Sequence, residues 1–198
     1  FGLLYSIAYP VEGSESDTLV VSTTRPETLF GDVALAVHPE DARYAHLIGR
    51  RVLNPITGAP IPVIGDAVLV DRDFGTGVVK VTPAHDAADY DVAQRHSLPL
   101  VEIFDDAGAL SSALPGVVPA AFAGLDRFDA RFRVLAELTA RGRLVGRDPH
   151  AMQLARCSRS GDVLEPRVRP QWYVRCRGAL ADRARDMVER DIIKIEPA

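Results

Sequence analysis

The sequence has little of what a disulfide-stabilised or membrane-spanning protein needs. Its two cysteines, Cys157 and Cys176, are too few for a disulfide scaffold and too far apart for a Cys-x-x-Cys zinc site. We therefore expect both to be core thiols. No apolar run approaches the roughly 20 residues that a membrane-spanning helix requires, so the sequence predicts no membrane partner.

The chain also lacks an initiator methionine and a basic, apolar leader, because Phe1 opens it directly. We expect an excised fragment of a longer protein, and the missing leader does not identify the compartment of that protein. The chain has 47% hydrophobic and 25% charged residues. This composition excludes a disordered or fibrous protein and suffices for one core with a small appendage.

Positive charge is scarce in the first half of the chain. The net charge of −4 divides into −6 for residues 1–99 and +2 for residues 100–198. The basic side chains of the second half are nearly all arginines, whose planar guanidinium suits phosphate, and those that fall close together are Arg131, Arg133, Arg141, Arg143, Arg147, Arg156, Arg159, Arg167, Arg169, Arg175 and Arg177. Two interpretations stay open, a solvated face and an RNA-contacting surface.

Segments rich in β-forming residues, separated by glycine and proline, predict a series of short strands. Residues 3–9 and 18–22 flank a polar Gly/Ser turn and should form a hairpin. Further strands are predicted at residues 33–37, 51–53, 61–64, 67–70 and 78–81. Short strands at such close intervals are typical of a small barrel.

Four helices are predicted from apolar spacing and from proline or glycine at their ends, at residues 39–48, 86–96, 126–141 and 179–190. Residues 105–124 are rich in Ala, Pro and Gly, and we expect a surface excursion there. Residues 156–176 alternate polar and apolar side chains around a glycine turn, as a β-ribbon does. We therefore predict a β-rich α+β fold, a small barrel with peripheral helices, carried on a β-ribbon linker made from the two ends of the chain.

The first polar cluster, residues 23–28, directly follows a predicted strand. Thr24 and Glu27 have the spacing of a capping box, and Pro26 suits a first helical turn. Capping leaves Arg25 and Thr28 unexplained. An exposed helix start can bind a phosphate, a ribose or a developing oxyanion, so a structural and a functional interpretation both stand.

The second polar cluster, residues 74–89, joins a strand to a helix. Lys80 and Thr82 should share one strand face, and Asp86 and Asp89 lie three apart at the helix start. First-turn acids also serve as caps or dipole partners, and His85 is either a general base or structural. Such a corner can hold an amino-acid ester by pairing its ammonium with a carboxylate, but the residues do not say which ester.

A family resemblance covers nearly the whole chain. The motifs, in order, are Thr23-Thr-Arg-Pro-Glu-Thr28, Gly31-Asp32, His38-Pro39, Tyr44, Leu47-Ile48-Gly49, Ile61-Pro62, Asp66, Phe74-Gly-Thr-Gly and Lys80-Val-Thr-Pro-Ala-His-Asp86. Together they resemble the editing insertion of valyl-tRNA synthetases. The later runs Cys157-Ser-Arg-Ser-Gly, Glu165-Pro and Gln171-Trp-Tyr173 resemble the segment that returns to the synthetase catalytic domain.

Single positions separate this family from its relatives. Isoleucyl enzymes usually have Trp where Glu27 stands, and leucyl enzymes typically have apolar residues where Lys80 and Thr82 stand. The resemblance therefore favours a valyl enzyme, with an isoleucyl or leucyl editing domain as the alternative. The aminoacylation signatures His-Ile-Gly-His and Lys-Met-Ser-Lys-Ser are absent from the sequence, so we expect no tRNA charging by this chain.

The resemblance implies hydrolysis of misacylated threonyl-tRNA(Val), and leaves open whether threonyl adenylate is a second substrate. It implies catalytic roles for Asp89, Lys80, Thr82 and Asp86, with Asp89 pairing with the substrate ammonium. It assigns substrate binding to Arg25, Thr28, Phe74, Thr76 and Asp89. A tRNA-docking module with a degenerate pocket is the alternative from a different class.

The resemblance implies no metal or cofactor for editing, whereas the parent synthetase uses ATP and magnesium. The expected partners are the 3′ end of tRNA(Val), the threonine moiety and the remainder of the same synthetase chain, in the cytoplasm or a mitochondrion and not in the secretory route. We expect residues 1–12 to be a linker strand, 13–146 the editing core, and 147–198 a ribbon and helix returning to the catalytic domain.

Overall fold

The computed structural model describes residues 2–14, 16–113 and 116–196. These fall into two compact units, Phe1–Val168 and Arg169–Ala198. The predicted domain boundaries at residues 12/13 and 146/147 stay a prediction.

Among the described residues of the first unit, seven strands form two sheets. In chain order they are β1 Gly2–Pro10, β2 Thr18–Thr23, β3 Ala34–Val37, β4 Arg51–Leu53, β5 Pro60–Gly65, β6 Val78–Val81 and β7 Leu144–His150. One sheet has the order β2-β1-β7 and is antiparallel. The other has the order β4-β5-β3-β6, in which β3 and β5 are parallel.

The β-rich α+β class is confirmed, but the predicted small barrel is wrong. Both sheets of the described residues are open, and an isolated bridge between Val11 and Val52 joins their ends. The predicted strand at residues 67–70 is also wrong. Asp66 Oδ1 accepts the amides of Val68 and Leu69 there, so these N–H groups serve a local turn instead of a sheet ladder.

Three of the four predicted helices are confirmed to within one residue at either end, namely α1 Ala87–His96, α2 Arg127–Ala140 and α3 Ala179–Glu189. Asp86 and Asp126 cap the first two through their carboxylates. The remaining predicted helix, at residues 39–48, is wrong, because that segment forms turns and a short 3-10 helix, Ala45–Leu47. The carboxylate of Asp41 takes the Arg43 amide and guanidinium, a local competitor for helical hydrogen bonds.

The core of the first unit fills the space between the sheets and α2. Residues 105–124, predicted as a surface excursion, contribute to it, so that prediction is wrong. Leu110, Val118 and Phe122 are buried, and the Phe122 ring lies 5.0 Å from that of Phe30. Burying such a side chain stabilises the fold by roughly 1.5–3 kcal/mol. This segment therefore packs into the core through a few separate apolar residues.

The C-terminal half of the chain departs most from the sequence predictions. Cys157 is half-buried and Cys176 is exposed, so the prediction of core thiols is wrong. The predicted ribbon at residues 156–176 is reduced to one bridge, between Arg156 and Val163. In the second unit α3 has no buried residue, and Trp172 is fully exposed. Alternation of polar and apolar residues forms a sheet only where a second strand pairs with the first.

Two features are absent from residues 2–14, 16–113 and 116–196. No helix in these ranges is long and apolar enough to cross a membrane. No group of three or more His, Cys, Asp or Glu side chains there is arranged to hold a metal ion.

Asp66 joins the turn after β5 to the end of α1 and should therefore contribute to stability. Its Oδ2 accepts from Arg95 at 2.8 Å and lies 2.9 Å from His96 Nε2. Burial raises the pKa of Asp66, but the Leu69 amide and Arg95 more than offset this and lower the pKa to about 2. A depressed folded-state pKa stabilises the fold above the unfolded-state pKa.

We expect Asp66→Asn to lower the free energy of unfolding by roughly 2 kcal/mol at pH 7. The difference from the wild type should shrink as pH falls from 4 towards 2, where the wild-type carboxyl also becomes protonated. Urea titrations across this pH range measure it. Asp105→Asn is the control, since Asp105 is exposed and accepts only two backbone amides, which an amide oxygen can still accept. A deficit that does not depend on pH would contradict the ion-pair explanation.

Candidate functional site

A cavity of about 350 Å³ lies where β1, β2 and β6 meet the first turn of α1. Its lining comprises Leu4, Ser22, Thr23, Thr24, Arg25, Thr28, Leu69, Val79, Lys80, Thr82, His85, Asp86, Ala88 and Asp89. Six of the eight residues predicted from the sequence are among them. The structure therefore brings both polar clusters to one cavity, for example Thr28 and Lys80, which are 52 positions apart in the chain.

Phe74 and Thr76 are the two predicted residues that do not line the cavity. The Phe74 side chain is 75% exposed in the turn before β6. The hydroxyl of Thr76 donates to the carbonyl oxygen of Val78 at 3.2 Å, a bond within the same turn. Their substrate-binding roles remain predictions that the cavity geometry does not support.

Lys80 organises the floor of the cavity. Its ammonium donates to Thr28 Oγ1 at 2.9 Å, to Asp32 Oδ1 at 3.1 Å and to Thr82 Oγ1 at 2.5 Å. Lys80 and Thr82 share one strand face, as their spacing predicts. An ammonium has three N–H donors, so the residues around Lys80 use all of them.

Asp32 belongs to the Gly31-Asp32 motif of the family resemblance but is not among the predicted site residues. It is buried, and Oδ1 accepts the Thr82 hydroxyl at 2.6 Å as well as the Lys80 ammonium. Its Oδ2 accepts the hydroxyl of Tyr9 at 2.6 Å. Burial, reinforced by the charge of Asp32, raises the pKa of Tyr9 well above its usual value, so the phenol stays protonated and donates. The register that places Ala34 opposite Val81 brings Asp32 close to Thr82, and no local pattern shows that register.

These bonds fix which atoms the cavity offers to a ligand. The Thr82 hydroxyl gives its proton to Asp32, and the Thr28 hydroxyl gives its proton to the Arg25 carbonyl at 2.9 Å. Each hydroxyl also accepts from Lys80. A hydroxyl has one proton and two lone pairs. Both threonines therefore have one acceptor site left, which suits a ligand that donates hydrogen bonds.

The two carboxylates of α1 differ in environment. Asp86 is exposed, and its Oδ1 caps the helix by accepting the amides of Ala88 and Asp89. Asp89 is buried, and its Oδ2 accepts the Thr82 amide at 2.7 Å. Burial raises the pKa of Asp89 to about 6, with the charge of Lys80 and the Thr82 amide opposing the rise. Asp89 is thus ionised near neutral pH, and among the described residues no hydrogen bond ends on its Oδ1.

Arg25 is held by two glutamates on the side of the cavity formed by residues 23–28. Its guanidinium donates to Glu165 Oε1 and Oε2 at 2.7 and 2.5 Å, to the His85 carbonyl at 3.2 Å and to Glu27 at 3.4 Å. The predicted capping box is wrong, because Glu27 is buried and binds Arg131 through both oxygens. Pro26 does begin a helical segment, the 3-10 helix Pro26–Gly31.

His85 is fixed by contacts that suit a structural role. Its Nε2 accepts the Ile103 amide at 3.1 Å, which places the proton of the neutral ring on Nδ1, 3.3 Å from Glu165 Oε1. The ring is buried and meets Phe104 edge-on at 4.9 Å. With the Nε2 lone pair bound to the Ile103 amide and the ring proton on Nδ1, His85 has no ring nitrogen ready to accept a proton, as a general base must.

Several arginines of the second half bind their own chain. Arg131 and Arg141 bind glutamates, Arg156 binds the Gly161 carbonyl, and Arg167 binds Glu102 and Asp106. For these four side chains the structure favours intramolecular roles over a freely solvated face.

Comparison with known proteins places this cavity in context. A family model described as leucyl-tRNA synthetase, editing domain, matches residues 42–114. The crystal structure of the Agrobacterium radiobacter K84 agnB2 LeuRS-tRNA-LeuAMS ternary complex superposes with a TM-score of 0.55 at 21% identity, covering 83% of this chain and 24% of that chain. That likeness establishes the fold alone.

Sequence relatives are more specific. The valine–tRNA ligase of Homo sapiens is 50% identical over all 198 residues of this chain, which span 15% of that protein. The valine–tRNA ligase of Stenotrophomonas maltophilia strain R551-3 is 48% identical, with 99% of this chain matching 22% of the relative. A probable mitochondrial valine–tRNA ligase of Dictyostelium discoideum is 46% identical, again over 99% of this chain and 18% of the relative. The chain thus spans less than a quarter of the length of these relatives.

The family model gives the class, the editing domain of an aminoacyl-tRNA synthetase, over residues 42–114. Within this class, the relatives that match nearly the whole chain are valine–tRNA ligases. The chain therefore belongs to the editing domains of the valyl-tRNA synthetase family.

The buried Asp32–Lys80 ion pair should stabilise the fold. Asp32→Asn leaves the Lys80 ammonium, only 12% exposed, without its counter-ion. Breaking a buried pair on one side costs roughly 3–5 kcal/mol, so we expect a loss of about 3 kcal/mol in urea unfolding. The control is Glu12→Gln, which breaks the exposed 2.7 Å pair with Arg51 and should cost less than about 1 kcal/mol. Equal losses in the two variants would contradict the importance given to Asp32.

Proposed function

We propose that this chain hydrolyses the ester that joins threonine to the 3′ end of tRNA(Val), as the editing domain of a valyl-tRNA synthetase. The observation that carries the proposal is the Lys80 network, which leaves acceptor sites on Thr28 and Thr82 in the cavity that also contains the buried Asp89. Threonyl adenylate, which carries the same amino acid on a phosphate, is proposed as a second substrate.

A synthetase that selects valine needs such a site for a physical reason. Threonine and valine have nearly the same shape, and the documented rejection of threonine by valyl pockets is only about a hundredfold. The hydroxyl of threonine can donate to Thr82 or Thr28, whereas the corresponding valine methyl group cannot. Leaving polar groups unpaired costs roughly 1–3 kcal/mol, so the cavity favours the threonyl ester.

Asp89 is proposed to bind the α-ammonium group of the substrate. One of its oxygens accepts the Thr82 amide, which fixes the carboxylate, and the other is available to the ligand. Because Lys80 is satisfied by three neighbours, it does not compete strongly for that second oxygen. The ammonium of the substrate then supplies the counter-charge that the buried carboxylate lacks.

In the proposed reaction a water molecule attacks the ester carbonyl carbon and the bond to the ribose oxygen breaks. The products are free threonine and tRNA with a free 3′ terminal hydroxyl. Arg25 and Asp86 both line the cavity. Arg25 is proposed to contact the terminal adenosine, and Asp86 is proposed to act on the reacting ester. The proposed partners are tRNA(Val) and the remainder of the synthetase, which uses ATP and magnesium for aminoacylation in the cytoplasm or a mitochondrion.

The first test replaces the charge of Asp89. In the complete synthetase we expect Asp89→Asn to slow threonyl-tRNA(Val) hydrolysis at least about a hundredfold, because a buried, charge-assisted contact to the ammonium is lost. Because the pKa is raised from 3.8 to about 6, ionisation of Asp89 lowers the free energy of unfolding as pH rises between these values, and the loss is fully present above pH 6. The neutral amide should therefore raise the free energy of unfolding at pH 7.5, by roughly 1–3 kcal/mol. A rise in stability excludes misfolding as the cause of lost activity.

The matched control is Asp91→Asn, an exposed carboxylate on the same helix. It should retain both wild-type hydrolysis and wild-type stability. Undiminished hydrolysis by Asp89→Asn would refute the assignment of Asp89. Tight tRNA binding by a wild-type synthetase that does not hydrolyse threonyl-tRNA(Val) would instead support the docking-module alternative.

The second test is the pH dependence of kcat/KM for threonyl-tRNA(Val) hydrolysis. In the proposed mechanism the free enzyme binds the substrate ammonium only when the Asp89 carboxyl is ionised. The pKa of Asp89 is raised to about 6. We expect kcat/KM to fall about tenfold per pH unit below pH 6 and to level off above pH 7. Single-turnover assays between pH 5 and pH 8 measure it. A profile that stays flat down to pH 5 would contradict the role of Asp89.

A further inference from the structure

Glu165 is 140 positions from Arg25 in the sequence, yet among the described residues it makes the shortest contacts to Arg25. It follows the turn closed by the bridge between Arg156 and Val163. Its side chain is 10% exposed and makes two bonds to the Arg25 guanidinium, at 2.5 and 2.7 Å. The other partners of Arg25 are Glu27 at 3.4 Å and the His85 carbonyl at 3.2 Å. Glu165 is therefore the principal counter-ion of Arg25.

The carboxylate of Glu165 is itself fixed on two further sides. Arg127 donates to Oε2 at 2.9 Å and also binds the Val163 carbonyl. His85 Nδ1 lies 3.3 Å from Oε1. Burial raises the pKa of Glu165, but His85 and Arg25 outweigh it and lower the pKa to about 2. The carboxylate is thus charged near neutral pH and is contacted by Arg25, Arg127 and His85.

The balance of charge shows what Glu165 prevents. Three guanidinium groups, those of Arg25, Arg127 and Arg131, share the two carboxylates of Glu27 and Glu165. Glu27 already binds Arg131 through both oxygens. Without Glu165, Arg25 has only the long contact to Glu27 as an ion pair. The carboxylates of Asp86 and Asp89 line the same cavity as Arg25 and would attract its long, flexible side chain.

We propose that Glu165 is a positioning residue that holds Arg25 at the wall of the cavity and away from Asp89. This inference rests on the proposed function, because it assigns the ammonium of the substrate to Asp89. Loss of Glu165 lets Arg25 compete for the carboxylate that the ammonium needs. The defect therefore appears in KM and leaves kcat nearly unchanged.

The test measures threonyl-tRNA(Val) hydrolysis by the complete synthetase in a double-mutant cycle of Glu165→Gln and Arg25→Gln. We expect Glu165→Gln to raise KM about tenfold and to change kcat less than about threefold. In the Arg25→Gln background the same substitution should change KM less than about twofold, because the competing cation is gone. Glu165→Asp, which keeps the charge, should recover part of the affinity.

The matched control is Arg167→Gln. Arg167 joins the same segment to Glu102 and Asp106 without contacting Arg25, so the KM of this variant should stay within about threefold of the wild type. The proposal is overturned if Glu165→Gln leaves KM unchanged, if it acts equally in both Arg25 backgrounds, or if Arg167→Gln has an effect of the same size. Each of these results would make Glu165 inert or merely structural.

A second readout does not depend on activity. The rate at which phenylglyoxal modifies Arg25, followed by peptide mass spectrometry, should rise at least about threefold in Glu165→Gln, because a guanidinium bound by two carboxylate oxygens is protected. The reactivity of Arg43, which pairs with Asp41, should not change. A wild-type enzyme without hydrolysis would refute the proposed function, and unchanged Arg25 reactivity would separately refute the positioning role.

Discussion

The ion pair between Lys80 and Asp32 is the contact on which the cavity depends. The pair joins β6 to the segment that leads into β3, and through Thr28 it reaches the 3-10 helix that follows β2. Tyr9 extends the same network to β1. Four separate parts of the first unit thus meet at one buried charge pair. Since each charge would be costly to bury alone, the elements that carry them are constrained to come together.

The second consequence of this pair is electrostatic. Lys80 and Arg25 are the two cations at the cavity, and the protein satisfies both with its own carboxylates, Asp32 for one and Glu165 for the other. Asp89 is the charged group at the cavity whose burial is not matched by a direct ion pair, and its pKa is accordingly raised. A cavity with saturated cations and an undercompensated carboxylate favours a ligand that carries a positive charge. This property follows from the contacts before any substrate is named.

Local features were predictable because they depend on neighbours in the chain. The caps of α1 and α2, the shared face of Lys80 and Thr82, and the strand at residues 78–81 all follow from spacings of two to four residues. Asp32 and Glu165 were missed because their roles depend on strand register and on contacts 50 to 140 residues away. Glu27 was misread for the same reason, since a capping box and a buried partner of Arg131 have the same local sequence.

Under the proposed function, the hydrogen-bond directions in the cavity determine how the ester is selected. Had Thr82 and Thr28 kept their protons free, the cavity would favour acceptors, including any carbonyl oxygen, and would discriminate poorly between threonine and valine esters. Because Asp32 and the Arg25 carbonyl take those protons, the hydroxyls favour donors. A valine methyl group leaves these acceptors unpaired, and a loss of roughly 1–3 kcal/mol corresponds to a factor of about 5 to 150. Multiplied by the hundredfold rejection at the first site, this gives an upper limit of roughly 5 × 10² to 1.5 × 10⁴ for the overall discrimination.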